Sequence, residues 1–343
     1  MKQLLNTLFV TSEDIYLSLD GENILANRDG QTVARYPLHT LQSIITFSYA
    51  GASPALMGAC AERNISFAFC TPYGKFLARV SGETSGNVLL RRKQYRASDD
   101  PAESCEIAKN MILGKVYNAQ HSIDRTRRDH GMRIDAEKLV SASGQLKESF
   151  ASIMECTDLD SLRGLEGAAA TVYFGVLDEM ILNQKDVFTF HGRNRRPPLD
   201  PMNAMLSFAY SLLSHDCAAA LESVGLDSYV GFMHRDRPGR SSLALDLMEE
   251  LRPCMADRFV LTLINNRMIR ESDFEYQSTG AVLLNDTGRK TFLKNWQEKK
   301  KDTLTHPFLG EKMVWGMVPY LQAMLLARYL RGDLDAYPPF LWK

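Results

Sequence analysis

The sequence predicts an α+β protein, in which a small N-terminal β domain is followed by a larger, mostly helical C-terminal domain. Two observations predict this class. Up to about residue 83, short runs rich in Ile, Val, Thr and aromatic residues alternate with turn residues. From about residue 87 onward, apolar residues recur at the spacing of amphipathic helices. Because helices do not alternate regularly with the strands, a doubly wound parallel sheet is not expected.

The strands of the first domain are predicted in the segments 4–10, 14–38, 43–47, 65–70 and 75–82. Two Asp-Gly pairs, at 20–21 and 29–30, are typical of hairpin turns within the second segment. One helix is predicted between two strands, with Ser53 as its N-cap and Pro54 as its first residue. We expect these strands to form a small twisted antiparallel or sandwich-like domain.

Helical spacing in the second domain predicts helices within the segments 87–98, 100–126, 159–181, 201–225, 241–269 and 311–332. A hairpin is predicted over 274–288, before a helix over 289–302. Gly and Ser cluster at 80–86, which predicts the linker between the two domains. We therefore divide the chain into domains 1–83 and 84–343.

Composition excludes several classes of protein. The chain has 343 residues, with 40 basic and 41 acidic residues, so a role in binding nucleic acid depends on local charge clusters. Six scattered cysteines form no CxxC pair, which argues against a zinc ribbon or a dense disulfide framework and fits reduced thiols. Neither a signal peptide nor a bilayer-length apolar run is visible. We expect a soluble cytoplasmic protein that does not bind membranes.

Glu166 interrupts the apolar stripe of a predicted helix. A carboxylate in this position is costly unless it is paired, protonated or bound to a metal. One interpretation is a buried ion pair with Arg163 or with an arginine from another segment, and the other is a metal ligand. The neighbours of Glu166 on the stripe are Leu162, Ala169, Ala170, Tyr173 and Leu177.

The segment 231–253, GFMHRDRPGRSSLALDLMEELRP, places a histidine in a turn before a helix that carries three carboxylates. Asp246 and Glu249 share one face of this helix because they are three residues apart, and both lie beside a stripe of leucines. We interpret Glu250 as part of a solvated acidic face. His234 has no second histidine at zinc-ligand spacing.

One histidine and two or three carboxylates form a ligand set that suits a hard divalent ion such as Mg²⁺ or Mn²⁺. Such an ion polarises a phosphodiester and activates a hydroxyl group for attack on it. By itself this set does not distinguish a metal site from structural ion pairs.

Arginines cluster in several segments, two of which adjoin the candidate ligands. Clustered arginines suit bidentate binding of phosphates along a nucleic-acid backbone. No base-reading motif is visible, so we expect recognition through backbone and shape. The predicted DNA-binding residues are Arg91, Arg92, Arg193, Arg195, Arg196, Arg235, Arg237 and Arg240.

Three segments occur in a fixed order, namely LRGLEGAAATVYFG, RNRRPPLDPMNAMLSFAYSLL and GFMHRDRPGRSSLALDLMEELRP. Together with the β-then-helical layout, they resemble the CRISPR-associated endonuclease/integrase family of spacer acquisition (Cas1), and most of all its members from type I systems. This resemblance implies a metal-dependent DNA endonuclease and integrase with Glu166, His234 and Glu249 as metal ligands. Asp246 is a further catalytic candidate, and the sequence leaves open whether Asp246 or Glu249 binds the ion directly.

The resemblance also implies partners and a reaction. The partners are double-stranded DNA (protospacer and CRISPR repeat), a second copy of the chain, and the second acquisition protein, Cas2. The reaction is attack of a protospacer 3′-hydroxyl on a repeat phosphodiester, in adaptive antiviral defence. Domain 1–83 would serve dimerisation and partner contacts. Two alternatives remain: a metal-dependent nuclease that only hydrolyses DNA or RNA, and a scaffold whose acidic residues form structural ion pairs.

Overall fold

A computed structural model describes residues 7–12, 14–41, 43–63, 65–71, 76–80, 82 and 88–342. The chain divides into two compact units. The first comprises residues 1–85 and 284–301, and the second comprises residues 86–283 and 302–343. The predicted domain boundary after residue 83 falls outside the described residues.

The first unit contains seven described strands and two helices, α1 and α9. Strands β2, β3 and β4 form an antiparallel sheet. Both connections are the predicted Asp-Gly turns, in which Gly21 and Gly30 have φ values of 57° and 77°. Glycine adopts this left-handed conformation without a steric penalty. The strands are β1 (Thr7–Val10), β2 (Tyr16–Asp20), β3 (Asn23–Arg28), β4 (Gln31–Pro37), β5 (Ser43–Thr46), β6 (Ser66–Cys70) and β7 (Phe76–Val80).

The other sheet of this unit has the strand order β1-β5-β6-β7. The prediction of an antiparallel arrangement is wrong here, because β5 pairs in parallel with both β1 and β6. Parallel neighbours need a crossover connection, and α1 (Pro54–Glu62) supplies it between β5 and β6. The predicted cap is confirmed, since the Ser53 side chain accepts a hydrogen bond from the Leu56 N–H at 3.2 Å.

The second unit is mostly helical, and the predicted fold class is confirmed. Its helices are α2 (Val88–Asp99), α3 (Pro101–His130), α4 (Ala136–Glu155), α5 (Leu159–Gly175), α6 (Pro201–Ser223), α7 (Ser242–Leu251), α8 (Arg258–Asn265) and α10 (Val318–Leu330). Helix α9 (Asp286–Lys301) belongs to the first unit. The remaining strands are β8 (Phe274–Tyr276), β9 (Val282–Leu284), β10 (Thr303–Thr305) and β11 (Lys312–Val314).

Two elements differ from the prediction. Helix α4 was not expected, although its buried Leu139, Leu146 and Ile153 recur every seven residues, at the spacing of a helix face. Residues 312–314 were expected to be helical, but they form β11, which pairs with β10 in an antiparallel hairpin. The predicted hairpin before α9 is present as β8 and β9.

Helices α7 and α8 are joined by a π-helical turn over Arg252–Asp257. Pro253 lies in this turn and has no N–H to donate, so the regular α-helical pattern cannot continue through it. Helix α7, which ends where this turn begins, carries Asp246, Glu249 and Glu250. Within the described part of the chain, no helix combines the length and the hydrophobicity that crossing a membrane requires.

Candidate metal centre

The loop before α7 wraps around the side chain of Asp246, which is 1% exposed. Asp246 Oδ2 accepts hydrogen bonds from the backbone N–H groups of Phe232 (2.6 Å) and Met233 (3.0 Å). Its Oδ1 accepts from the N–H of His234 at 3.0 Å and lies 2.5 Å from the ring Nδ1 of the same residue. Asp246 therefore fixes both the backbone and the imidazole of His234.

This wrapping requires glycine at position 231. A Cβ atom on Gly231 would lie 2.8 Å from Oδ2 of Asp246 and 2.8 Å from Cβ of Ser242. Both distances are shorter than van der Waals contact, so any larger residue would push the loop away from α7. The glycine at the start of GFMH is explained by this close approach.

Two helices hold the loop from the outside. From α2, Gln94 donates to the carbonyl of Val230 at 2.9 Å, and the Ser98 hydroxyl donates to the carbonyl of Gly231 at 2.8 Å. From α5, Arg163 donates twice to the carbonyl of Met233, at 2.7 and 3.2 Å. Arg163 lies one turn before Glu166, so α5 both supplies a candidate ligand and positions the loop that supplies another.

Glu166 of α5 and Glu249 of α7 converge on a single cation, the ammonium group of Lys115 in α3. Lys115 Nζ forms an ion pair with Oε1 of Glu166 and another with Oε2 of Glu249, the latter at 2.6 Å. The ion-pair interpretation of Glu166 named an arginine as its partner, and the structure instead supplies this lysine. Two carboxylates from separate helices are thus directed at one positively charged point.

Glu249 is buried among positive charges. In addition to the ion pair with Lys115, Glu249 forms an ion pair with Arg252, whose guanidinium lies 2.8 Å from Oε1 of Glu249. Burial by itself would raise the pKa of Glu249, but Arg252, Lys115 and His234 outweigh it and lower the pKa to about 2. Glu249 is therefore ionised at neutral pH.

Glu250 contradicts the sequence interpretation, which placed it on a solvated face. Its side chain is 0% exposed. It accepts hydrogen bonds from the Tyr337 hydroxyl, from Nε2 of Gln322 at 3.1 Å and from the N–H of Phe340 at 2.8 Å. These donors are neutral and only partly offset burial, which raises its pKa to about 7. The prediction failed because the donors come from α10 and from residues 337–340, which the pattern of α7 does not reveal.

Among the described residues, no group of three or more His, Cys, Asp or Glu side chains is placed to hold a metal ion. The donor chemistry nevertheless fits a hard divalent cation, because two carboxylates already share one cationic partner. Asp246 binds Nδ1 of His234, which leaves Nε2 as the free ring nitrogen, as is typical of metal-binding histidines.

The exposed side of His234 lines an open groove of about 460 Å³. Its lining also includes Asp158, Arg163, Phe232 and Arg235. The loop that carries the imidazole therefore forms part of the wall of this groove.

The predicted DNA-binding arginines fall into two groups. Arg92, Arg195, Arg196, Arg235 and Arg237 are exposed, whereas Arg91, Arg193 and Arg240 are partly buried. Arg193 donates hydrogen bonds to Oδ1 of Asn203 (2.6 Å) and Oγ of Ser207 (3.0 Å), and its guanidinium lies over the Tyr210 ring. Arg193 therefore anchors the 193–196 loop to α6.

Sequence reasoning missed two cationic residues of the site, Lys115 and Arg252. Lys115 had a visible signal, since it follows Met111 and Ile112 on an apolar face of α3 and precedes Val116. A lysine in such a place needs an anionic partner. Arg252 lies three residues after Glu249, at helical ion-pair spacing.

Comparison with known proteins decides the family. The family model described as CRISPR associated protein Cas1 matches residues 8–298. The chain belongs to the Cas1 family. It is 53% identical to CRISPR-associated endonuclease Cas1 2 of Rhodospirillum rubrum and 47% identical to CRISPR-associated endonuclease Cas1 1 of Chlorobaculum tepidum. Each alignment covers 100% of both chains.

Solved structures show the same fold. A casposase bound to integration product superposes with a TM-score of 0.84 at 24% identity, covering 98% of this chain and 93% of that chain. A Cas1 protein from Thermotoga maritima gives a TM-score of 0.82 at 21% identity, covering 97% and 99%. The predicted family and the predicted class, a CRISPR-associated DNA endonuclease, are confirmed. The assignment to type I systems stays a prediction.

Proposed function

We propose that this Cas1-family chain is a divalent-metal-dependent DNA integrase, in which Glu166, His234 and Glu249 hold one Mg²⁺ or Mn²⁺ ion. In the proposed reaction, the 3′-hydroxyl of a protospacer attacks a phosphodiester of a CRISPR repeat. The observation that carries the proposal is the convergence of Glu166 and Glu249 on one cationic point.

The proposal assigns Asp246 to a positioning role. Both of its carboxylate oxygens are occupied by the loop 232–234, and none of its hydrogen bonds involves Glu166 or Glu249. This arrangement supports Glu249, and not Asp246, as the third ligand. Asp246 would keep the proton of the His234 ring on Nδ1, so that Nε2 presents a lone pair.

In the reaction, the attacking 3′-oxygen forms a new bond to phosphorus while the repeat's P–O3′ bond breaks, leaving a new 3′-hydroxyl. The proton of the attacking hydroxyl reaches the leaving oxygen through solvent. One phosphodiester replaces another, so an external energy source is not needed. A bound ion would stabilise the negative charge at phosphorus and favour loss of the hydroxyl proton. Arg252 would keep Glu249 ionised throughout.

The exposed arginines near the site, Arg195, Arg196, Arg235 and Arg237, would bind DNA phosphates. Arg92, also exposed, would bind further along the backbone. Arg193 would contribute by holding the 193–196 loop on α6. Arg91 and Arg240, which are partly buried, would support the same surface.

We also propose that the chain acts as a homodimer with Cas2, on protospacer and repeat DNA, and that domain 1–83 serves these contacts. A solved Cas6-RT-Cas1–Cas2 complex supports this, because it contains a chain with this fold at a TM-score of 0.81 and 21% identity. All six cysteines lie in the described part of the chain as buried thiols outside any disulfide, which supports a cytoplasmic location.

A strand-transfer assay tests the proposal. Labelled protospacer DNA and a repeat-containing plasmid would be incubated with the chain and its Cas2 partner, with Mn²⁺, Mg²⁺ or EDTA. We expect labelled plasmid only with a divalent ion, and only from the wild type and a Lys93→Met control. Glu166→Ala should give none while retaining DNA binding.

The assay also separates the alternatives. Release of short labelled fragments without labelled plasmid would favour a nuclease that only hydrolyses DNA. Activity that persists in Glu166→Ala would remove this residue from the ligand set. Absence of any metal-dependent reaction would favour a scaffold with structural ion pairs.

A further inference from the structure

The segment 337–342 lies partly buried in the second unit, where it contacts α3 and α7. Tyr337 is 1% exposed and Phe340 is 0% exposed. Asn118 of α3 binds the segment on both sides: its Nδ2 donates to the Phe340 carbonyl at 2.7 Å, and its Oδ1 accepts from the Trp342 N–H at 2.9 Å. Its Nδ2 also donates to the carbonyl of Glu250 at 2.7 Å. One amide thus joins α3, α7 and this segment.

Glu250 is the main acceptor of the segment. Its two oxygens receive the Tyr337 hydroxyl and the Phe340 N–H, and Gln322 of α10 donates to it as well. The packing is tight, because a Cβ atom on Gly114 would lie 2.9 Å from Cβ of Glu250 and 3.3 Å from Cβ of Pro339. Gly114 of α3 therefore allows the two helices and the segment to meet.

In both α3 and α7, the residue that contacts the segment is next in sequence to a residue of the candidate metal site. In α7, Glu249 is directed at Lys115 while Glu250 is directed at the segment. In α3, Lys115 is directed at Glu249 while Gly114 packs against Glu250. A small rotation of either helix would therefore disturb both sets of contacts together.

We propose that the segment 337–342 is a positioning element for the metal site, acting through Glu250 and Asn118 to fix the rotation of α7 against α3. This inference rests on the proposed function. An apolar side chain at 250 would fill the same space without the cost of burying a carboxylate. The carboxylate instead receives three directional hydrogen bonds, and these define the rotation of α7 more sharply than apolar packing does.

The test compares Tyr337→Phe with the wild type and with Tyr276→Phe, a control whose side chain is exposed. The phenylalanine keeps the ring and removes one donor to Glu250. We expect Mn²⁺ affinity, measured by electron paramagnetic resonance without DNA, to fall about tenfold in Tyr337→Phe, as for other outer-shell changes. The control should match the wild type.

Kinetics supply a second measurement. At subsaturating Mn²⁺, kcat for strand transfer should fall by the same factor in Tyr337→Phe, and saturating Mn²⁺ should restore it. KM for DNA should not change, because the arginine surface is untouched. Glu250→Gln, which keeps the shape of the side chain, should show the same pattern and serves as the test if Tyr337→Phe does not fold.

Lowered thermal stability with unchanged Mn²⁺ affinity in both variants would overturn the inference, because the segment would then only stabilise the fold. A loss of kcat that saturating Mn²⁺ does not restore would overturn it too. A wild type that binds no Mn²⁺ at the site refutes the proposed function itself, so the two failures are distinguishable.

Discussion

Glu249 and Glu250 are neighbours on one helix, and both are buried, yet they have opposite surroundings. Glu249 faces two cationic groups, Arg252 and Lys115, and its pKa falls to about 2. Glu250 faces a hydroxyl, an amide and a backbone N–H, and its pKa rises to about 7. Helix α7 therefore has a charged side, at the candidate metal site, and a neutral polar side, at the segment 337–342.

The comparison shows what offsets the burial of a carboxylate. Neutral hydrogen-bond donors stabilise the ionised form, but they do not fully replace water. Full positive charges compensate for the lost water, and they keep Glu249 ionised and able to bind a cation. A carboxylate that serves as a metal ligand must be ionised, whereas one that serves as a hydrogen-bond acceptor for a buried segment need not be.

The largest expected difference between the two sides is catalytic. Glu249→Gln should lower the rate of strand transfer to below about 1% of the wild-type rate, because the ion loses an anionic ligand. Glu250→Gln should retain about a tenth or more, with recovery at high Mn²⁺. Rates from the labelled-plasmid assay check this. Equal losses in the two variants would remove the functional distinction between them.

Asp246 tests whether the charged side depends on the loop that holds His234. The Asp246 carboxylate takes part in four hydrogen bonds with the loop. Asp246→Asn replaces one of its oxygens with an NH₂ group, which cannot accept these bonds, so the imidazole loses its fixed orientation. We expect a loss of about 10- to 100-fold in strand transfer. Asp236→Asn, on the same loop but exposed, is the matched control. Wild-type activity in Asp246→Asn would show that the ring is oriented by other contacts.

A variant of Lys115 tests whether Glu166 and Glu249 need a positive charge between them for the metal-free protein to be stable. Lys115→Met leaves two carboxylates without their shared cation, which should destabilise the metal-free protein by about 3 kcal/mol. Added Mn²⁺ should then raise the melting temperature more than it does in the wild type or in Lys93→Met. Thermal melts with and without Mn²⁺ measure the effect. Equal shifts in all three proteins would contradict it.

The pKa values predict opposite pH dependences for the two residues. The folded-state pKa of Glu249, about 2, is below its ordinary value of 4.5, so its contribution to stability is present above pH 4.5 and is lost toward pH 2. The folded-state pKa of Glu250, about 7, is above 4.5, so its contribution is largest below pH 4.5 and is lost as pH rises through 7.

Denaturant unfolding of metal-free protein across pH checks both signs. Each residue changes the slope of unfolding free energy by at most about 1.4 kcal/mol per pH unit. Glu250→Gln should flatten the curve between pH 5 and 7 and leave the acid side unchanged. Glu249→Gln should flatten the acid side. A Glu250→Gln curve that parallels the wild type between pH 5 and 7 would contradict the raised pKa.

The smallest expected effect concerns the arginines, of which some are exposed and one is bonded to the protein. Arg195→Ala combined with Arg196→Ala removes two exposed charges, whereas Arg193 is bonded to α6. We expect the double variant to reduce the slope of log K for DNA against log salt by about 2, with its melting temperature unchanged. Arg193→Ala should lower the melting temperature. Fluorescence anisotropy at several salt concentrations measures the slope, and an unchanged slope would show that the pair does not bind phosphate.

The sequence predicts those features that depend on local pattern. The Asp-Gly hairpins, the Ser53 cap and the buried leucine stripe of α7 are all confirmed. The parallel pairing of β5 was not predicted, because pairing direction depends on the path of the chain between strands. The family motifs led to Glu166, His234 and Glu249, but only the fold shows that Asp246 is occupied by a loop.

Burial of charged residues was the least predictable feature. Glu250 looked exposed because its partners, Tyr337 and Phe340, lie 87 and 90 residues away. Lys115 lies 51 residues from Glu166, in a predicted helix for which the sequence analysis named no functional residue. A helical pattern shows which side chains share a face, but it does not show which distant segment covers that face.

The central claim is that Glu166, His234 and Glu249 bind one divalent cation. Pulsed electron paramagnetic resonance of the protein loaded with one equivalent of Mn²⁺ tests it most directly. We predict one bound ion per chain with coupling to a single imidazole nitrogen, which His234→Ala abolishes and which Glu166→Ala prevents by lowering affinity. A nitrogen coupling that survives in His234→Ala, or a wild type that leaves the Mn²⁺ in solution, would contradict the account.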